Sequence, residues 1–412
     1  MKSIRSILVV ATVVGLAAVA CERSTPMGED APAGTVQTAP AARVVSAPVA
    51  GTADRGYAFP LRVMTRNIYL GASITPLLTA PSAQLIPGLV AEMWVAVQAT
   101  DFPSRAVRLA EEIDRQQPHV IGLQEAALYR IQSPGDFFVG NPQAATEVVY
   151  DFVEILQAEL VARGLDYTAV VVRTGSDVEL PSLTGDDLRL TDRQAILVRS
   201  DIEVLDSAQG TYAVNLTVPV GGEGGPPVTL SRGWVSVDAR VAGRAMRFVC
   251  THLERGSVEP VQLAQGAELL QILGAAQLPV VVLGDFNSAA DGSRTATYGT
   301  LVAGGLVDAW SLARQDVGYT CCLPDEPNAP SELNRRIDLV FIQEPGDVAE
   351  PTITRAHRAT MVGADPEQRT ASGLWPSDHA GVAITLAVDA TRQWLASRPR
   401  ASTGTLRMAV NP

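Results

Sequence analysis

Between Phe59 and Leu386, apolar runs too short for helices alternate with segments of helical periodicity, and this alternation restricts the chain to an α/β architecture. Leu61 to Asn67 alternates as a half-buried strand. Ala106, Leu109, Ala110 and Ile113 share one helical face, opened by Pro103-Ser104 and closed before Pro118, and His119 to Leu123 follows as a buried strand. Val149, Phe152, Val153, Leu156 and Leu160 mark a second helix, which Gly164 ends. Tyr167 to Arg173, Ala195 to Arg199, Trp234 to Arg240 and Arg247 to Cys250 read as strands, with turn residues at Gly221 to Pro227 and Ala242-Gly243 joining hairpins. A third helix over Val261 to Ala276 precedes the apolar run Pro279 to Leu283, and Ile337 to Ile342 and Ala380 to Leu386 supply late strands. Neighbouring antiparallel strands do not suit an all-parallel sheet. The expected fold is a four-layer α/β/β/α sandwich: two mostly antiparallel or mixed sheets face to face, helices outside.

The termini read differently. Lys2 and Arg5 followed by the apolar run Ile7 to Ala20 form an export signal too short to span a membrane comfortably. Its end, Ala18-Val19-Ala20-Cys21, resembles a bacterial lipobox, although Ala18 stands where Leu is usual, so Cys21 is an expected lipid attachment point and plain secretion the alternative. Residues 22–57, rich in Ala, Pro, Gly and Thr, read as a flexible linker, residues 58–388 as the catalytic domain and residues 389–412 as a C-terminal tail with a short helix. The chain is expected to be exported and monomeric. Of the three remaining cysteines, Cys250 is read either as bridged to one of the vicinal pair Cys321-Cys322 or, with them, as a buried free thiol.

Chemistry enters where polar residues interrupt the apolar strands, because a side chain at a strand's end is held rigidly yet reaches solvent at the sheet rim. Asn67 ends the first strand, Gln124-Glu125 ends the second, Thr251-His252 ends RFVC, Asp285-Phe286-Asn287 follows PVVVLG, and Asp378-His379 precedes AGVAITL. Hard oxygen ligands with two imidazoles and no cysteine pairing suit magnesium, manganese or calcium better than zinc. A net charge of -12 repels phosphate polymers in bulk, so a polyanionic substrate needs bound cations or a local basic patch, and a simple nucleic-acid-binding module is excluded.

The segments RNI, LQE, THL, GDFN, RRIDLVF and SDHAGV, in this order between Leu61 and Leu386, resemble the endonuclease/exonuclease/phosphatase superfamily, which includes deoxyribonuclease I, repair nucleases, neutral sphingomyelinases and inositol-polyphosphate 5-phosphatases. TRNIYLGASI and GYTCC look like a secreted bacterial branch. The resemblance implies a divalent metal held by Glu125 with Asn67 and Asp378, and a His379–Asp338 pair that orients or deprotonates the attacking water. It further implies that Asp285 holds that water in line with phosphorus, while Asn287 and His252 contact the phosphate oxygens. Arg193, Arg335 and Arg336 are further candidate phosphate contacts, whereas His119 and His357 match nothing in the family pattern.

Repair nucleases of this superfamily carry an acidic metal ligand two residues after the first asparagine, and here that position is Tyr69. The inserted segments Pro76 to Phe102 and Ser133 to Ala145 lack the Lys/Arg density that tracks a nucleic-acid backbone. The leading expectation is a metal-dependent phosphodiesterase acting by in-line attack of water, first as an extracellular nuclease. The second is a sphingomyelinase-like phospholipid phosphodiesterase, with Leu77-Leu78 or Phe137-Phe138-Val139 as the lipid-facing loop. The third is an inactive envelope scaffold or adhesin.

Overall fold

The computed structural model describes residues 58–139, 142–346, 351–391 and 393–394. The expected export signal with Cys21, the linker over 22–57 and the tail from 395 to 412 lie outside the described residues.

Strands are numbered along the chain. The first sheet holds β1 (Ala58–Asn67), β2 (Val120–Gln124), β3 (Leu128–Gln132), β4 (Glu147–Asp151), β5 (Tyr167–Pro181), β6 (Asp187–Arg199), β15 (Ile353–Val362) and β16 (Gly381–Asp389), in the order β15-β16-β1-β2-β6-β3-β4 with β5 against β6. The second holds β7 (Glu203–Thr211), β10 (Gly233–Val241), β11 (Arg244–His252), β12 (Val280–Asp285), β13 (Val307–Asp308) and β14 (Asp338–Gln343), in the order β13-β14-β12-β11-β10-β7. A separate hairpin pairs β8 (Leu216–Pro219) with β9 (Pro227–Leu230) across the Gly-rich turn that the sequence marks. Among the described residues β1–β2 and β11–β12 are parallel and the other pairs antiparallel, so both sheets are mixed.

Alternation along the strands builds the layers. Leu61 and Val63 of β1 pack with Val237, Phe248 and Val281 of the second sheet, while Met64, facing the other way, packs with the helices. Outside the first sheet lie α1 (Thr75–Leu78), α2 (Ile86–Ala99), α3 (Phe102–Gln116) and α4 (Phe152–Ala162); outside the second lie α5 (Glu259–Gly274) and α6 (Thr297–Ala303), with α7 (Ala309–Ala313) against β14 and β15. The result is the expected four-layer sandwich. At its centre the sheets approach so closely at Gly122 that an added Cβ would meet Leu283 Cβ at 3.0 Å and Cys250 Sγ at 3.1 Å.

Local chemistry explains the helix limits. Asp101 caps α3 by accepting from Ser104 N, with Pro103 tolerated in the first turn, and the chain leaves at Gln117 in the left-handed region. Asp151 caps α4 through Val153 N and Glu154 N. Val149, expected on that helix, instead belongs to β4 and is exposed, because the cap at Asp151 sets the helix start. The vicinal Cys321 and Cys322 are bonded to each other with an S–S distance of 2.03 Å, so the expected Cys250 bridge is corrected: Cys250 is a buried free thiol between the sheets.

Candidate functional site

Strand direction brings the polar strand ends together. β1 and β2 are parallel neighbours, so their last residues, Asn67 and Gln124, stand side by side and Glu125 follows at once. β11 and β12 are parallel with His252 paired to Asp285, and β14 runs antiparallel to β12 with Asp338 opposite Asp285. Asp378 and His379 enter from the start of β16, which is antiparallel to β1. Two buried arginines tie these loops down. Arg66 pairs with Glu112 at 3.0 Å and donates to the His379 carbonyl, while Arg105 donates to the carbonyls of Ile68, Tyr69, Thr100 and Pro376. Glu125, His252, Asp285, Asn287, Asp378 and His379 then line one cleft of about 430 Å³.

The backbone is strained there. Tyr69, Glu125 and Asn287 have φ of 60°, 56° and 51°, a left-handed conformation that costs a non-glycine residue about 1 kcal/mol. Hydrogen bonds hold it: Glu125 accepts from Leu70 N at 2.9 Å and Asn67 Nδ2 at 3.1 Å, and Asn287 N donates to Asp285 Oδ1 at 2.8 Å.

The two histidines are set in opposite states. His379 Nδ1 lies 2.9 Å from Asp338 Oδ2, which fixes the proton on Nδ1 and turns Nε2 to the cleft. Burial pulls its proton affinity down, but Asp338, Asp378 and Asp285 outweigh burial and hold the ring well above the usual imidazole pKa. Burial, then Arg232 and His379, push His252 well below that value. Arginine can only donate, so Arg232 Nη1 at 2.8 Å makes His252 Nδ1 an acceptor and leaves the neutral ring's proton on Nε2. That Nε2–H faces Asp285 Oδ2 at 3.5 Å as its acceptor, while Asn287 Nδ2, a second donor 3.1 Å from the same nitrogen, gives its own proton to the Leu253 carbonyl. His252 is thus a neutral donor, and His379 a group of high proton affinity.

The acids crowd one another. Burial raises the Asp285 carboxyl, and Asp338 raises it further; burial raises Asp378, with Glu125 adding to it. Asp338 Oδ1 is buried without a partner. Asn67 Oδ1 accepts from Tyr69 N at 2.9 Å, so its Nδ2 bridges Glu125 and Asp285; serving as a metal ligand would require the amide to turn over and give up that N–H. Tyr69, in place of an acidic ligand, donates its hydroxyl to Asp325 at 3.0 Å.

Of the arginines suggested by sequence, Arg335 lines the cleft. Arg193 is instead paired with Asp151 at 2.6 Å and Arg336 with Asp308 at 2.8 Å, so both are structural. His119 accepts from Arg62 N at the opposite rim, and His357 is exposed on β15. Arg232 is the residue that sequence reasoning missed. It precedes Gly233, which pairs with His252 across β10–β11, and only that register places it beside the ring.

The model of the endonuclease/exonuclease/phosphatase family matches residues 88–379, most of the chain. The chain belongs to this family. As a member it is a phosphoric ester hydrolase, of a family that uses divalent metal ions. Solved structures are similar to the chain at low identity. They include D. rerio TDP2 complexed with a single-strand DNA product (16% identity, 79% of this chain and 98% of that chain covered, TM-score 0.49). An endonuclease/exonuclease/phosphatase family protein from Bacteroides thetaiotaomicron is 16% identical over 81% of this chain and 97% of that chain, with TM-score 0.49. The mannosyl-6-phosphatase of Bacteroides thetaiotaomicron is 18% identical over 79% and 99%, with TM-score 0.46. No curated protein matches the chain in sequence.

The donor set fits a hard divalent cation. Four carboxylates, of Glu125, Asp285, Asp338 and Asp378, act on one another here, and Asp285 and Asp378 are raised first by burial and then by these neighbouring acids, which a bound cation would offset. Asp285, Asp338 and His379 each bring a ligand atom within 4.8 Å of the others. The His379 nitrogen nearest those acids is already engaged by Asp338, so the ring is not a free ligand of that group.

Proposed function

We propose that this family member is an exported, divalent-metal-dependent phosphodiesterase that hydrolyses its substrate by in-line attack of water. One observation carries the reading: His379, Asp285, the neutral donor His252 and the carboxylate of Glu125 line a single cleft, with Asp338 buried behind the His379 ring, although the five residues come from five separate segments. Asp338 holds the His379 ring so that Nε2 takes a proton from the attacking water, and Asp285 directs that water. His252 Nε2–H and the Asn287 amide donate to the non-bridging phosphate oxygens, a task in which another carboxylate would repel. A magnesium, manganese or calcium ion held by Glu125 and Asp378, with Asn67 beside them, would offset phosphate charge and stabilise the leaving oxygen.

Export with lipid on Cys21 or as a free secreted monomer belongs to the same proposal, on the strength of the apolar N-terminal run and its small-residue end. Nucleic acid and phospholipid are the two substrate classes to separate. Purified chain is assayed on bis-p-nitrophenyl phosphate, plasmid DNA and sphingomyelin, with Mg²⁺ and with EDTA. Metal-dependent hydrolysis of at least one is expected; folded protein silent on all three would leave the inactive scaffold as the better reading.

A further inference from the structure

The cleft does not stop at the acids. Its far part is walled by Leu77, Val90, Met93, Leu188, Val220 and Leu230, all buried, contributed by α1, α2, β6 and the β8–β9 hairpin with its adjoining turn. Phosphate and sugar gain nothing from such a wall, whereas a hydrocarbon chain does. Leu77, raised by the sequence as a lipid-facing residue, is part of this interior.

The β5–β6 hairpin, whose Leu188 walls the chamber, ends in an apolar surface. Leu180 and Leu188 face each other across β5–β6, and Leu183 at the turn is 76% exposed. Leu183 N bonds the Pro87 carbonyl at the start of α2, near the exposed Leu85, and Gly135 N bonds the Gly185 carbonyl. Phe137 N bonds Asp187 Oδ2, so the loop carrying Phe137, Phe138 and Val139 lies against the turn; Phe138 is 80% and Val139 65% exposed. Three loops thus present aromatic and aliphatic side chains to solvent at the end of the hairpin that lines the chamber.

We infer that the substrate is an amphiphilic phosphodiester taken from a lipid surface: the loops of Leu85, Phe137–Val139 and Leu183 dock on that surface, and the chamber receives the lipid's hydrocarbon beside the acid cluster. The inference rests on the phosphodiesterase reading above. The surface is a zwitterionic one, since a net charge of -12 and the acids Asp136 and Asp186 beside the apolar loops repel anionic lipid, while Arg130 and Arg189 are both engaged by Asp177. Hydrolysis adds water across one P–O bond, its hydroxyl going to phosphorus and its other proton to the released alcohol.

The test compares three substrates: zwitterionic phosphatidylcholine/sphingomyelin vesicles, monomeric short-chain phosphatidylcholine and bis-p-nitrophenyl phosphate. The Phe138→Ser/Val139→Ser double variant changes only exposed side chains. It should lose vesicle binding and vesicle hydrolysis by about tenfold or more, with the short-chain and nitrophenyl rates kept. Val228→Trp narrows the chamber and should lower both lipid rates while sparing the nitrophenyl ester; if that variant fails to fold, the surface variant decides. Wild type that cleaves the nitrophenyl ester or DNA but neither lipid overturns the substrate class and leaves the phosphodiesterase reading standing. Silence on every ester removes that reading, and this inference with it.

Discussion

At the rim where β1 begins, arginines donate to a carboxylate or a carbonyl apiece; at the rim where it ends, acids crowd one another. The first rim has Arg199 on Asp201 at 2.6 Å, Arg244 on Asp389 at 2.6 Å and Arg62 Nε on the Gln117 carbonyl at 2.7 Å. Its histidine, His119, accepts from Arg62 N at 2.9 Å and is buried as a neutral ring. At the second rim Asp285 and Asp378 are raised by burial and by neighbouring acids, and His379 is held at high proton affinity by three carboxylates. One sandwich therefore resolves its electrostatics at one end and stores them at the other. The difference marks where chemistry happens better than burial does, because buried imidazoles occur at both ends.

The largest effect expected from breaking this contrast comes from Asp338→Asn or His379→Ala, which remove the pair itself. Turnover of bis-p-nitrophenyl phosphate should fall by about 100- to 10,000-fold with the melting temperature little changed. An unchanged rate would show that the pair is structural, as His119 is. A smaller loss is expected for Arg232→Gln, which frees His252 to change tautomer. A fall of about 10- to 100-fold in kcat, with an altered pH profile and partial rescue by Arg232→Lys, separates positioning from mere packing.

The smallest effect belongs to the quiet rim and concerns stability alone. Burial, then Arg199 and Arg62, lower His119 to about 4, against about 6.5 in an unfolded chain. Between those values the unfolded chain binds the extra proton, so this stability is fully present above about pH 6.5 and falls by about 3 kcal/mol as the pH drops toward 4. Urea melts of His119→Gln should show a flatter acid limb than wild type with hydrolysis at neutral pH unaffected; an identical acid limb would refute the assignment.

Much of this was legible in the chain. The alternation of β1 and the polar ends at Asn67, Glu125, His252, Asp285 and His379 needed only local pattern, and strand direction did the rest. The α2 helix went unread inside the inserted segment Pro76 to Phe102, although its Pro87 stands in the first turn, where proline is tolerated. The place of Arg232 and the apolar chamber depend on register and on contacts distant in sequence, and the Cys321–Cys322 bond, though it joins neighbours, leaves no mark in periodicity either. Tyr69 was visible as a departure, but its bond to Asp325 was not.

The central claim is that the crowded acids of one rim are built to hold a cation and the matched charges of the other are not. Calorimetric titration of Mn²⁺ into the full chain tests it directly, comparing wild type with Glu125→Gln and His119→Gln. The account predicts saturable binding in wild type and His119→Gln and its loss in Glu125→Gln. Equal binding by all three proteins, or by none while the wild type is folded, would contradict it.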